Sequence, residues 1–190
     1  MYCYLMTTTG RPAGPTEDTT TVVLTAALDL LLAEGAAALT AQRLHQATGV
    51  SRSTIYRHWP TPTAVLGALI EVAPSPPLEP TGDVSRDLHA EVDALCNRLR
   101  DKPVAAFLQA LTAVAASDPD ARELREQYVG DLLAPFRAVL RDAGLPSVAA
   151  DDAVAAIVSP LLVDALLLGR PTARTRAHRM VDVQIAMVAR

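Results

Sequence analysis

The sequence contains one lysine. Of its 17 basic residues all but Lys102 are arginine, a bias of genome composition that carries no physical message. With 21 acidic residues against them, the formal charge is −4. That balance excludes a nonspecific cationic coat for nucleic acid but leaves room for one local basic face. Cysteine is scarce: Cys3 and Cys96 are the only two. Cys3 falls in an N-terminal stretch expected to be disordered, so no disulfide framework is expected and the reducing cytoplasm is the natural compartment. Aromatic residues make up 4%, so a ligand cavity here would have aliphatic walls. No apolar run reaches the length of a membrane span; the nearest, residues 153–169, is interrupted by Ser159-Pro160 and Asp164. "MYCYLM" is too short and lacks the basic flank of a signal peptide, and Met6 is a second candidate for the first residue. No segment alternates apolar and polar residues with a period of two, so no strand is expected.

What is present reads as helix. Half of the 190 residues are apolar and 20% are charged, enough for a sizeable core in one or two small domains. Residues 1–17 are rich in Thr, Gly and Pro and expected to be disordered. From Thr19 onward Val22, Val23, Ala26, Ala27, Leu30 and Leu31 recur at three and four, and Gly35 caps that helix. Thr40 is an N-cap for a short helix over 41–47, and Gly49 breaks it. Ser51 caps a second short helix over 52–58, and Thr61-Pro62 opens a third carrying Val65, Leu66, Leu69, Ile70 and Val72. "PSPPLEP", residues 74–80, reads as a linker. Beyond it helices are expected over 84–100, 104–116, 119–143, 149–169 and 172–190. The expectation is an all-α chain of about nine helices. It divides into a disordered 1–17, a head over 18–73, a linker over 74–82 and a larger helical body over 83–190.

"TGVSRSTIYRHWP", residues 48–60, concentrates arginine, histidine and short hydroxyl side chains behind one glycine. Two short helices joined by such a turn form a helix-turn-helix. Gly49 supplies the positive φ the turn needs, and Val50 and Ile55 can pack the second helix over Leu44. Arg52, Ser53, Thr54 and Arg57 then point outward near the helix N-terminus, where a recognition helix reaches base edges and free N–H groups meet phosphate. Tyr56 and His58 can hold the flanking backbone. The competing readings are a solvated face for the first four and packing against the next helix for Tyr56 and His58. Trp59 reads as core, and His45 as a partly buried structural residue.

The stretches "LT" at 39–40, "ATGVSRSTIYRHWPT" at 47–61 and "VLGALIE" at 65–71, preceded by "ALDLLLAEG", resemble the DNA-binding domain of TetR-type transcriptional regulators. "PLLVDALLLGRP", residues 160–171, resembles a segment found near the end of such proteins. The resemblance implies a cytoplasmic homodimer whose heads read a palindromic double-stranded DNA operator. A small-molecule effector in the body would shift the spacing of the heads and release the operator, so the chain is expected to be a repressor, with no cofactor. It places the DNA contacts on Thr40, Arg43, Arg52, Ser53, Thr54, Tyr56, Arg57 and His58. Two departures stand out: His45 replaces a usual small alanine, and Pro62 a usual phosphate-touching lysine. Over residues 19–73, Arg43, Arg52 and Arg57 face Asp29, Glu34 and Glu71. The head is therefore neutral, and modest nonspecific affinity is expected.

In the body, Cys96, Phe107, Leu111, Tyr128, Phe136 and Asp164 are candidates for effector contact, each with core packing as the competing reading. Asp164 stands in an apolar helix and is expected to meet a cationic ligand or an arginine across a dimer interface. The last two helices are apolar on more than one face, so they are expected to pair with the same helices of a second subunit through Leu161, Leu162, Ala165, Leu168, Val181, Ile185 and Val188. An enzyme is the rival from another class. It finds no support: His45, His58, His89 and His178 lack metal-ligand spacing, no Cys and His are close in sequence, and no glycine-rich phosphate loop exists. A helical ligand- or protein-binding protein with weak or lost DNA binding is the second rival, kept open by the neutral head.

Overall fold

Side-chain caps decide where this chain turns. Thr40 Oγ1 accepts from the Arg43 amide at 3.2 Å, Ser51 Oγ from Thr54 at 3.2 Å and Thr61 Oγ1 from Ala64 at 3.1 Å. Asp83 accepts from Arg86 at 3.0 Å and Asp118 from Asp120 at 3.0 Å. Each satisfies an amide that the first helical turn leaves without a partner. The computed structural model describes residues 17–72, 78–170 and 174–188. Among them are nine α-helices and no strand. They are α1 (Glu17–Glu34), α2 (Ala41–Thr48), α3 (Arg52–His58), α4 (Pro62–Glu71), α5 (Val84–Asp101), α6 (Val104–Val114), α7 (Pro119–Asp142), α8 (Ser147–Leu162) and α9 (Arg174–Val188). Most of the expected disordered segment 1–17, residue 73 of the head, the linker residues 74–77 and both ends of the segment 172–190 lie outside the described residues.

The expected helix over 149–169 is not one regular helix. After Pro160 the backbone widens into a π-helical turn, Val163–Leu167, in which the Leu168 amide reaches back five residues to the Val163 carbonyl at 3.1 Å. Proline supplies no amide and its ring crowds the carbonyl four residues earlier, so the regular ladder is already interrupted there.

The helices enclose two hydrophobic clusters. One joins α5, α7, α8 and α9 around Leu88, Leu95, Phe136, Ile157 and Val181. The other joins α1 to α4 around Val23, Leu44, Ile55, Trp59 and Leu66. Helix α6 belongs to both. Its Val104 and Leu108 enter the body cluster, whereas Phe107, Ala110 and Leu111 enter the head cluster. Spacings of three and four set these residues on two different faces of one helix. A partly buried hydrogen bond adds to the joint: Thr63 of α4 donates to Asp118, the cap of α7, at 2.6 Å. The Thr63 hydroxyl chiefly holds that carboxyl below the usual carboxylate range. Gly67 faces Leu124 so closely that a Cβ there would stand 3.7 Å from it.

Where the chain re-enters the body, Asp87 gathers it. Thr81 donates its amide and hydroxyl to that carboxylate at 3.0 and 2.6 Å, and the Gly82 amide follows at 3.1 Å. These donors, the Thr81 hydroxyl first, pull the Asp87 carboxyl below its usual range. On the same helix Glu91 is 6% exposed and has no hydrogen bond or ion pair among the described residues. Burial pushes its carboxyl above the usual range, with Arg98 opposing and Asp87 adding to the rise. Its folded-state value exceeds the unfolded one, so folding prefers the protonated acid. The penalty is absent below about pH 4, where both states are protonated, and grows as pH rises through the folded value. Glu91→Met should therefore raise stability at pH 7 by about 1 kcal/mol. Denaturant melts at pH 7 and pH 3.5 check this; an equal gain at both pH values would show that packing, not charge, is responsible.

Helix α9 is held to α5 by a polar seam that separation in sequence conceals. His89 and His178 meet Nδ1 to Nδ1 at 2.5 Å, while His89 Nε2 lies 3.1 Å from Asp182 and His178 Nε2 lies 3.0 Å from Asp93. Carboxylates only accept, so for all three contacts to be hydrogen bonds both Nε2 atoms and one Nδ1 must carry a proton. Even so, no group of three or more His, Cys, Asp or Glu among the described residues is arranged to hold a metal ion.

Candidate nucleic-acid interface and effector cleft

The turn between α2 and α3 is built from a glycine and a histidine. Gly49 takes φ 74° and donates its amide to the His45 carbonyl at 2.8 Å. The His45 ring spans the turn and donates from Nδ1 to the Val50 carbonyl at 2.8 Å. It is exposed, not partly buried as its place near the helix crossing suggested, because it closes the turn from outside. Leu44 and Ile55 are fully buried, Val50 packs beside them and Trp59 is core. A large residue at Gly49 would have to hold the left-handed conformation that only glycine adopts without strain.

This packing fixes which side of α3 faces outward. Arg52, Ser53, Arg57 and Tyr56 are exposed, Tyr56 at 63%, while Thr54 and His58 are half-buried. The hydroxyls are already organised: Ser51 Oγ lies 3.0 Å from Ser53 Oγ and 2.8 Å from Thr54 Oγ1. His58 leans on Trp59 with ring centroids 5.8 Å apart. Thr40 is exposed and caps α2. Arg43 is engaged by Glu34 of α1. No carboxylate among the described residues pairs with Arg52 or Arg57.

The effector candidates separate. Phe107 and Leu111 lie in the head cluster and Phe136 is fully buried in the body cluster. Tyr128 is half-buried and meets Phe107 edge to face at 6.2 Å. Burial pushes its hydroxyl up, against the pull of Arg98. Cys96 belongs to the body cluster but also lines a cleft of about 490 Å³ together with Leu99, Arg100, Ala165, Arg170 and Arg174. Asp164, 3% exposed, finds its arginines within its own chain: Arg170 donates from Nε and Nη2 at 3.0 and 2.8 Å, and Arg176 lies 3.5 Å away. The widened turn brings residue 170 back over 164, a contact that a straight helix would not make.

Of the expected interface residues, Leu161 and Val181 are buried inside their own chain, Leu162 and Ile185 pack against its core, and Ala165 lines the cleft. Leu168 is exposed, and the side chain of Val188 lies outside the described residues. Val163, Leu167, Val183 and Met187, which are not among those expected, are exposed apolar residues, as Leu168 is. No helix among the described residues is long and apolar enough to cross a membrane.

Comparison with known proteins agrees with this geometry. Residues 23–69 match the family of bacterial regulatory proteins of the tetR type, and residues 78–183 match the tetracyclin repressor-like C-terminal domain. The structure of the TetR family transcription regulator SCO0332 is 27% identical over 88% of this chain and 97% of that one, with a TM-score of 0.63. A TetR transcriptional regulator from Agrobacterium tumefaciens is 20% identical over 88% of this chain and 92% of that one, with a TM-score of 0.67. No curated protein matches the sequence. Helix-turn-helix, helical body and family match together make this chain a member of the TetR family, a DNA-binding transcription regulator and not an enzyme.

Proposed function

We propose that the protein is a cytoplasmic, ligand-responsive repressor that binds a palindromic operator as a homodimer and is released by a small molecule bound in the body. One observation carries the DNA reading: Arg52 and Arg57 stand exposed and without a carboxylate partner among the described residues, on the outward face of an α3 anchored by buried Ile55. Ser53, Thr54, Tyr56 and His58 flank them, with Thr40 and Arg43 on α2. The test is a gel-retardation titration on the inverted repeat nearest the gene. Retardation that follows the symmetry of the repeat supports the reading; indifference to its sequence sinks it. The neutral head favours the second reading, a helical binding protein with weak or lost DNA affinity, and that titration decides between them.

Exposed Val163, Leu167, Leu168, Val183 and Met187 support a dimer through α8, the π turn and α9. Sedimentation at micromolar concentration should give about 40 kDa, twice the 20.1 kDa of one chain. A clean monomer would remove the two-headed mode of binding. Effector response is supported by α6, which carries one face into each cluster. A ligand that moves α6 must disturb the head, and it shifts the equilibrium only by its preference for one of the two arrangements.

A further inference from the structure

The cleft beside α5 and the π turn has a charge character opposite to that of the whole chain. Its polar lining is three arginines, Arg100, Arg170 and Arg174, and no carboxylate lines it, although the net charge is −4. The floor is small and apolar: Cys96, Leu99, Ala105 and Ala165. We propose that this cleft binds an amphipathic organic anion, its carboxylate or phosphate between the three guanidinium groups and its short hydrocarbon body on that floor. The inference rests on the reading of the body as the effector-binding part and names the chemical class of the effector.

The guanidinium groups are held from behind. Asp101 engages Arg100 through Nε and Nη2, each at 2.7 Å, and Asn97 accepts from the same Nη2 at 3.0 Å. Buried Asp164 engages Arg170 through Nε and Nη2. Both leave Nη1, with two N–H donors, without a protein partner among the described residues. Arg174 is steadied by Asn97 and, at 3.5 Å, by Asp93. Oriented donors with unused N–H groups suit a carboxylate or phosphate, which accepts several charge-assisted bonds at once. A cation would meet N–H donors and no carboxylate in the lining. A neutral ligand would leave the donors no better satisfied than water does. Burial keeps Cys96 a neutral thiol, so the floor adds no negative charge.

Position and size agree. About 490 Å³ accommodates a small molecule. Ala165 lies in the π turn, a backbone irregularity that recurs at functional sites. Gln109 of α6 donates to the Leu166 carbonyl of that turn at 2.9 Å. Ala105 stands two residues before Phe107, which packs into the head cluster. An anion bound at the free Nη1 of Arg170 therefore acts where α6, the π turn and α9 meet.

The experiment uses the full chain and four probes that share an eight-carbon chain: sodium octanoate, octyl phosphate, octanol and octyltrimethylammonium. Calorimetric titration and thermal melts are run on the wild type, Arg100→Gln, Arg174→Gln and Ala105→Leu. The two anions should bind and raise the melting point, with octanol and the cation at least tenfold weaker. Each arginine variant should weaken the anions about tenfold, and Ala105→Leu should block them while leaving the arginines in place. Arg170 is left alone, because its loss would strand buried Asp164. Anion binding equal in wild type and both arginine variants, or no stronger than octanol, overturns the site. Operator retardation is measured separately. A protein that binds DNA but none of the anions refutes this inference alone. Anions that bind without releasing DNA support the site and count against effector-controlled repression.

Discussion

Leu111→Ala should lower stability by about 2–5 kcal/mol, and the damage should appear in the head although the residue belongs to a body helix. Leu111 is fully buried in the cluster that α6 shares with the head, beside Phe107 and Ala110, where α6 meets α1 and α4. Truncation removes apolar contact and leaves a cavity that the surrounding helices fill only in part. Leu140→Ala in α7 is the control. It is as well buried, but in the body cluster alone, so its cost should be similar and its location different. Hydrogen exchange separates the two. Leu111→Ala should lose amide protection in α2 and α3, and with it operator affinity; Leu140→Ala should lose protection in α7 and α8 first. If α2 and α3 stay protected in Leu111→Ala, the head does not depend on α6, and the proposed route from effector to DNA fails with it.

The second large effect is on DNA. Replacing Arg52 and Arg57 together with alanine should weaken operator binding about thirtyfold or more, because each guanidinium that reads a base contributes about 1–3 kcal/mol. The two side chains share no partner, so their effects should nearly add. Stability should hardly change, since both are exposed and neither is in an ion pair. Arg43→Ala differs: it also removes the partner of Glu34, so its effect on binding mixes lost contact with altered head charge. Fluorescence anisotropy at two salt concentrations tells reading from positioning. A lost phosphate contact lowers the salt slope by about one and weakens all sequences alike, whereas a lost base contact relaxes preference at one position. Native affinity in the double variant, with an unchanged circular dichroism spectrum, would mean that α3 does not enter the groove.

The sequence by itself determined the reading head. Thr40, Ser51 and Thr61 act on amides three residues away, Gly49 acts on its own φ, and Leu44 and Ile55 lie on a local period. Such signals are complete within one turn of chain, so the limits of α2 and α3 and the start of α4 could be read within a residue. The body was legible as helices but not as a packing. Phe107 and Leu111 are apolar residues on an apolar helix, and nothing local says that this face of α6 leaves the body for the head. Leu161 and Val181 are as apolar as exposed Leu168 and Val183, and a helix with two apolar faces does not reveal which one its own chain will cover. His89 and His178 meet across 89 positions, and Asp164 finds Arg170 where a π turn and the left-handed Gly169 fold the backbone back. Tertiary structure decided these contacts because they depend on how rigid helices are set against one another, a geometry no short stretch of residues encodes.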